Sequence, residues 1–205
     1  MGDSITDGWS SSGKPSVNIA PYCPAYNRLV CQYIENEYGI KVDHKNIAVS
    51  GSNSGEGAKN GLGKVEEACN AAPDLVMIAY GMNDGCGTPT EKYISNINSI
   101  VKTIETKCPD ACIVVVGTCL PNRQVGYNPG VSLLKYHVEY AEALATSEIA
   151  KWNNAYFADV TTMHVYMLSR KAYQDTSGSN SNHPNDYMHR IYAQVILRTI
   201  FGNYM

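Results

Sequence analysis

The spacing of apolar positions along this chain alternates between a helical period and short unbroken runs. Residues 23–39, CPAYNRLVCQYIENEYG, set Tyr26, Leu29, Val30, Tyr33, Ile34 and Tyr38 at helical spacing, with Gly39 placed as a C-cap. Residues 41–51, KVDHKNIAVSG, read as a strand that ends in a turn. Residues 55–72 predict a helix with a loose, glycine-rich start. DLVMIAYG, 74–81, is an apolar run between Pro73 and Gly81 and predicts a buried strand. In 88–107, TPTEKYISNINSIVKTIETK, Thr88 is the expected N-cap, Pro89 the first helical residue and Glu91 the closing member of a capping box. ACIVVVGTCL, 111–120, is the clearest buried strand. Residues 132–152 predict a helix, 155–160 (AYFADV) a short strand and 161–173 a further helix. In the last segment, 183–201, Met188, Ile191, Tyr192, Val195 and Ile196 line one helical face.

Strands that alternate with helices predict an α/β fold, a mostly parallel sheet with helices on both faces. The chain shows no internal repeat and no linker, so residues 1–205 are expected to form one domain. Two serine-rich loops stand out, SSSGKPS (10–16) and QDTSGSNSN (174–182). Ligands of open α/β sheets bind outside the carboxyl ends of the strands, which puts both loops on the border of one cleft.

Composition narrows the classes. With 44% hydrophobic and 17% charged residues the chain is an ordinary soluble one. A net charge of −3 with no basic stripe argues against nucleic acid as a partner. No apolar run approaches a membrane span, and no basic-then-apolar leader opens the chain. Seven cysteines are scattered without a CxxC pair, which predicts reduced thiols in a reducing, cytoplasmic setting. The 15 tyrosines serve mainly as partly buried packing, though their faces also suit sugar contacts.

Four positions carry candidate chemistry. Ser4 sits in a Gly-Asp-Ser-Ile turn, where a serine can act as nucleophile or Asp3 can simply bond its own backbone. Gly51 follows a predicted strand, where a glycine lets an amide N–H point at a ligand. Asn83, in GMND just past the 74–81 strand, can donate to an oxyanion. His183 precedes Pro184; with proline as the first helical residue it falls at the helix N-terminus, where the dipole favours neutral imidazole. Asp3 and Asp84 read as local caps, and Cys86 as packing. His44, His137, His164 and His189 form no HxH or HExxH pair, and no GxGxxG or GxxxxGK[ST] occurs, so no metal or cofactor is implied.

In order and spacing, GDSIT, Gly51 in VSGSNSG, GMND and HPND resemble the four motif blocks of the SGNH hydrolases, the GDSL-type esterase and lipase superfamily. The resemblance spans nearly the whole chain. It implies a three-layer, flavodoxin-like α/β/α fold with Ser4 as nucleophile and His183 as general base. It also implies an oxyanion hole from the Ser4 and Gly51 backbone N–H groups and the Asn83 amide. Two departures stand out. Three residues before the histidine, where the family usually has aspartate, this chain has Asn180. Three arrangements are open: a backbone carbonyl such as that of Asn180 orients His183 in a dyad, Asp175 or else Asp186 takes the acid's place, or the enzyme is impaired. The carbonyl-held dyad is preferred. The second departure is at the start, where only Met1 precedes Gly2 in the place of the strand that should feed the nucleophile turn. A shortened chain, or another segment filling that slot, would explain it.

The leading expectation is a serine esterase for short acyl groups, chiefly acetyl esters of carbohydrates. A lipase, lysophospholipase or thioesterase of the same fold is the alternative, and a catalytically impaired carbohydrate-binding module is the alternative from a different class.

Overall fold

The computed structural model describes residues 1–122 and 133–202. Three strands, β1 (Leu75–Ile78), β2 (Cys112–Val116) and β3 (Ala155–Ala158), form a parallel sheet in the order β1-β2-β3. Val76 pairs with Ile113, and Val114 with Tyr156. All three strands coincide with apolar runs that predict them, because a strand covered on both faces has no polar position to spare.

Among the described residues the six α-helices are α1 (Tyr26–Tyr38), α2 (Gly61–Asn70), α3 (Thr90–Lys107), α4 (Leu133–Ala143), α5 (Val160–Leu168) and α6 (Asp186–Phe201). Side chains of successive strand residues point to opposite faces. Ile113 and Val115 of β2 enter one core with Val65 of α2, Ile97, Ile100 and Ile104 of α3, and Tyr140 of α4. Val114 and Val116 enter the other, with Tyr26 and Val30 of α1 and Met188, Tyr192 and Ile196 of α6. The result is the expected three-layer α/β/α arrangement. Ile191 and Val195 pack at the margin of the second core, so the predicted face of α6 is the one that docks.

Gly39 caps α1 in the left-handed conformation, and α2 begins only at Gly61, after the glycine-rich stretch. Helix α3 starts later than expected. Thr88 does not cap it: its N–H donates to the Asp84 carbonyl at 2.8 Å, Pro89 is extended, and no side-chain cap forms. The tight turn after β1 claims Thr88, and tertiary geometry overrides the local capping signal. Ser132, where the fourth predicted helix starts, lies outside the described residues. From Leu133 the helix runs to Ala143 and continues as irregular helical turns to Lys151.

The predicted strand at 41–51 does not form. A strand needs a ladder, and on this side of the sheet Val49 N–H donates to the Gly2 carbonyl at 3.0 Å while the rest of the segment runs as irregular chain. Met1 and Gly2 themselves occupy the sheet position beside β1. The Met1 amine donates to the Met77 carbonyl at 2.8 Å, Ala79 N–H donates to the Met1 carbonyl at 3.1 Å, and Gly2 bridges Ala79 in parallel. Two residues of sheet pairing therefore feed the turn at Ser4. Gly2 must be glycine, since a Cβ there would lie 2.8 Å from the Ala79 carbonyl oxygen.

The described cysteines are all free thiols. Among the described residues, no helix is long and apolar enough to cross a membrane. Because Ile113 is fully buried in the centre of the sheet, Ile113→Ala is expected to cost about 2–5 kcal/mol of stability. Urea unfolding at neutral pH measures it.

Candidate active site

The turn that carries Ser4 is anchored on both sides. The Asp3 carboxylate accepts the Ile5 N–H at 2.9 Å, and the Ile5 side chain is buried against Tyr26 and Met82. The Ser4 carbonyl accepts the Trp9 N–H at 3.0 Å, closing a helical turn. Thr6 shares a hydrogen bond with the Tyr26 hydroxyl at 2.8 Å, and its carbonyl accepts from Asn27 and Asn46. Burial pushes the Asp3 carboxyl up to about 7, with the nearby Asp84 adding to the rise and the Ile5 N–H opposing it.

Gly51 lies beside this turn with φ +75, in the left-handed region that glycine enters without strain. Ser52, next to it, donates its hydroxyl to the Gly2 carbonyl at 3.0 Å. Asn83 stands beyond the carboxyl end of β1. Its amide donates to the Ser52 carbonyl at 2.7 Å and lies 3.5 Å from the Asp3 carboxylate. Asp84 is almost fully buried and binds the backbone N–H and hydroxyl of Ser54, whose hydroxyl also accepts from Asn96 of α3 at 3.0 Å. It thus joins the Gly51 loop to the Asn83 turn, a longer reach than the local cap expected of it. Burial raises its carboxyl pKa, opposed by the Ser54 bonds.

His183 completes the group. Its Nε2 lies 2.8 Å from the Ser4 hydroxyl oxygen, a contact between residues 179 positions apart. It is not at the helix N-cap: α6 is capped by Asn185, whose side chain accepts the Met188 N–H at 3.0 Å. Pro184 is held before the helix by a bridge to Ser177. The imidazole pKa is lowered by burial. Neutral imidazole is therefore favoured, as expected, but by desolvation.

The loop that presents His183 is latched to the segment after β2. Asn122 N–H donates to the Ser181 carbonyl at 2.7 Å, and its side-chain amide donates to the Asn180 carbonyl at 2.9 Å and the Asn180 side-chain oxygen at 3.1 Å. The Tyr173 hydroxyl lies 3.0 Å from the Leu120 carbonyl and 2.8 Å from that of Ser181. Buried His164 accepts the Leu120 N–H on Nδ1 at 2.9 Å, which leaves Nε2–H to donate to the Thr176 hydroxyl at 3.0 Å. Asn180 adopts φ +54 and faces Asn122. Asp175 binds the Ala172 N–H, and Asp186 binds the Ser12 N–H at 2.7 Å, so neither carboxylate is engaged with His183. That last bond also brings the first serine-rich loop against the start of α6. Among the described residues, Nδ1 of His183 has no hydrogen-bond partner.

Sequence reasoning missed Asn122 and Trp9. The Trp9 indole stacks on the His183 ring with centroids 5.7 Å apart and planes at 26°. An exposed aromatic five residues after a nucleophile candidate is a signal of sorts; Asn122 offers none.

A parallel α/β sandwich with a serine–histidine pair outside its strand ends is the arrangement of the SGNH esterases. The chain belongs to the GDSL-like Lipase/Acylhydrolase family, whose model matches residues 1–191. It is a carboxylic ester hydrolase. No curated protein matches significantly. Among solved structures, the acetylxylan esterase Axe2 of Geobacillus stearothermophilus is similar at 18% identity and a TM-score of 0.69, over 100% of this chain and 93% of that one. A carbohydrate esterase family 3 protein from Talaromyces cellulolyticus is similar at 15% identity and TM-score 0.66, over 96% and 91%. A lipolytic G-D-S-L protein from Veillonella parvula is similar at 17% and 0.67, over 98% and 96%. At these identities the likeness is one of fold.

Asp84→Ala strips the buried Ser54 N–H of its acceptor. The expected loss is about 1–3 kcal/mol in urea unfolding.

Proposed function

We propose that this protein is a serine esterase that removes short acyl groups, acetyl above all, from carbohydrate esters. The observation that carries this reading is the 2.8 Å contact between Ser4 Oγ and His183 Nε2 at the carboxyl end of the sheet. In the proposed reaction His183 accepts the Ser4 proton on Nε2 as Oγ attacks the ester carbonyl. The carbonyl oxygen gains negative charge and is met by the Ser4 and Gly51 N–H groups and the Asn83 amide. His183 then returns the proton to the leaving alcohol, and water releases the acyl group by the same steps in reverse order. Asn180 enters this scheme as a positioning residue, through its bonds to Asn122. The carbohydrate part of the reading is supported by the names of the similar structures, an acetylxylan esterase and a carbohydrate esterase.

Acetate release from acetylated xylo-oligosaccharides, beside a nitrophenyl ester series of rising chain length, tests the substrate. Acetyl preferred with a steep decline is expected; an optimum at medium chains would point to an acyl-channel lipase or thioesterase instead. Ser4→Ala should abolish turnover and labelling by an organophosphonate, and Asn83→Ala should lower kcat by about 10²–10³. In a pH profile of kcat/KM, activity should fall on acidification, as His183 gains a proton. Because burial lowers that pKa, the midpoint should lie below the ordinary histidine value of 6.5.

A further inference from the structure

Among the described residues, His183 is held at one nitrogen only. A hydrogen bond at Nε2 fixes one point of the imidazole and leaves its tilt to be set by other contacts. The flat surface that meets it is Trp9, stacked at 5.7 Å and 26°. The residue is itself placed from the nucleophile: the Trp9 backbone N–H donates to the Ser4 carbonyl at 3.0 Å. Its ring is steadied by Lys14, whose ammonium lies 5.7 Å from the ring centroid and is tied to the Asp7 carboxylate at 2.7 Å.

We propose that Trp9 is a positioning residue for His183: its indole face holds the imidazole in line with Ser4 Oγ, in place of a carboxylate on Nδ1. This rests on the roles assigned above to Ser4 and His183. When His183 takes the serine proton, the aromatic face also attracts the imidazolium. The charged and titratable groups around the pair are Lys14 and Asp7 beside the indole, Asp3 next to Ser4, and Asp186 and buried His189 on α6. Lys14 opposes a second positive charge, and its bond to Asp7 offsets that.

The test uses the full chain with Trp9→Ala and Trp9→Phe, assayed on nitrophenyl acetate. The expected result for Trp9→Ala is a fall of about 3- to 30-fold in kcat with KM within about twofold, the range that a stacked cation–aromatic contact supplies. Trp9→Phe should recover most of the rate. A second readout does not depend on turnover. The chain has two tryptophans, and Trp152 bonds Asn98 on another part of the surface. In a Trp152→Phe background, Trp9 fluorescence should show a step with pH that disappears in His183→Gln, a control that separates it from Asp3. A rise in KM with kcat unchanged would make Trp9 a substrate platform and overturn the proposal. So would an unchanged rate in Trp9→Ala, or fluorescence that ignores His183. If instead Ser4→Ala stays active, the esterase roles fail, and the fluorescence step still reports whether the rings stack.

Discussion

Pairing of Met1 and Gly2 with the end of β1 is the constraint on which the active site depends. Three backbone hydrogen bonds, from Met1 to Met77, from Ala79 to Met1 and from Val49 to Gly2, join the Ser4 turn to the sheet and to the Gly51 loop. The Gly2 carbonyl also accepts the Ser52 hydroxyl, and the Ser52 carbonyl accepts the Asn83 amide. One short stretch of backbone thus sets the relative positions of Ser4, Gly51 and Asn83. Below it, the Ile5 side chain sinks into the core shared with α1 and α6, so the turn is clamped by apolar burial as well.

The histidine arrives from the other end of the chain and is held by a separate device. The segment after β2 acts as a rail. Leu120 and Asn122 bind His164, Tyr173, Asn180 and Ser181, and these shape the loop that ends in His183. His164 works here as a neutral two-sided connector. Its burial lowers its pKa to about 4, so near neutral pH it keeps one acceptor and one donor nitrogen. The two halves of the site meet at the Ser4–His183 hydrogen bond and the Trp9 stack.

Much of this was legible in the residues. The runs at 74–81, 111–120 and 155–160 are apolar because both faces of a parallel sheet are covered, and each forms its strand. Helix faces followed the same rule: Tyr26, Val30, Met188, Tyr192 and Ile196 are buried where their spacing puts them. Ser4 and His183, chosen by motif, lie in hydrogen-bonding contact. Boundaries set by tertiary bonds were not legible. Thr88 gives its N–H to Asp84 rather than capping α3, and Asn185 rather than His183 caps α6.

By itself the sequence determined the layer architecture and the identity of the candidate residues. Periodicity, glycine and residue chemistry act over a few positions and can be read there. Only the tertiary structure decided what surrounds them. The 41–51 segment stays out of the sheet, because a strand exists through its neighbours' hydrogen bonds and one bond from Val49 N–H to the Gly2 carbonyl does not make a ladder. Asn180 turns to Asn122, and Trp9 lies on His183, because those choices depend on elements that meet across more than a hundred residues of chain, or across fifty-eight in the case of Asn122. Local pattern carries no record of such distances.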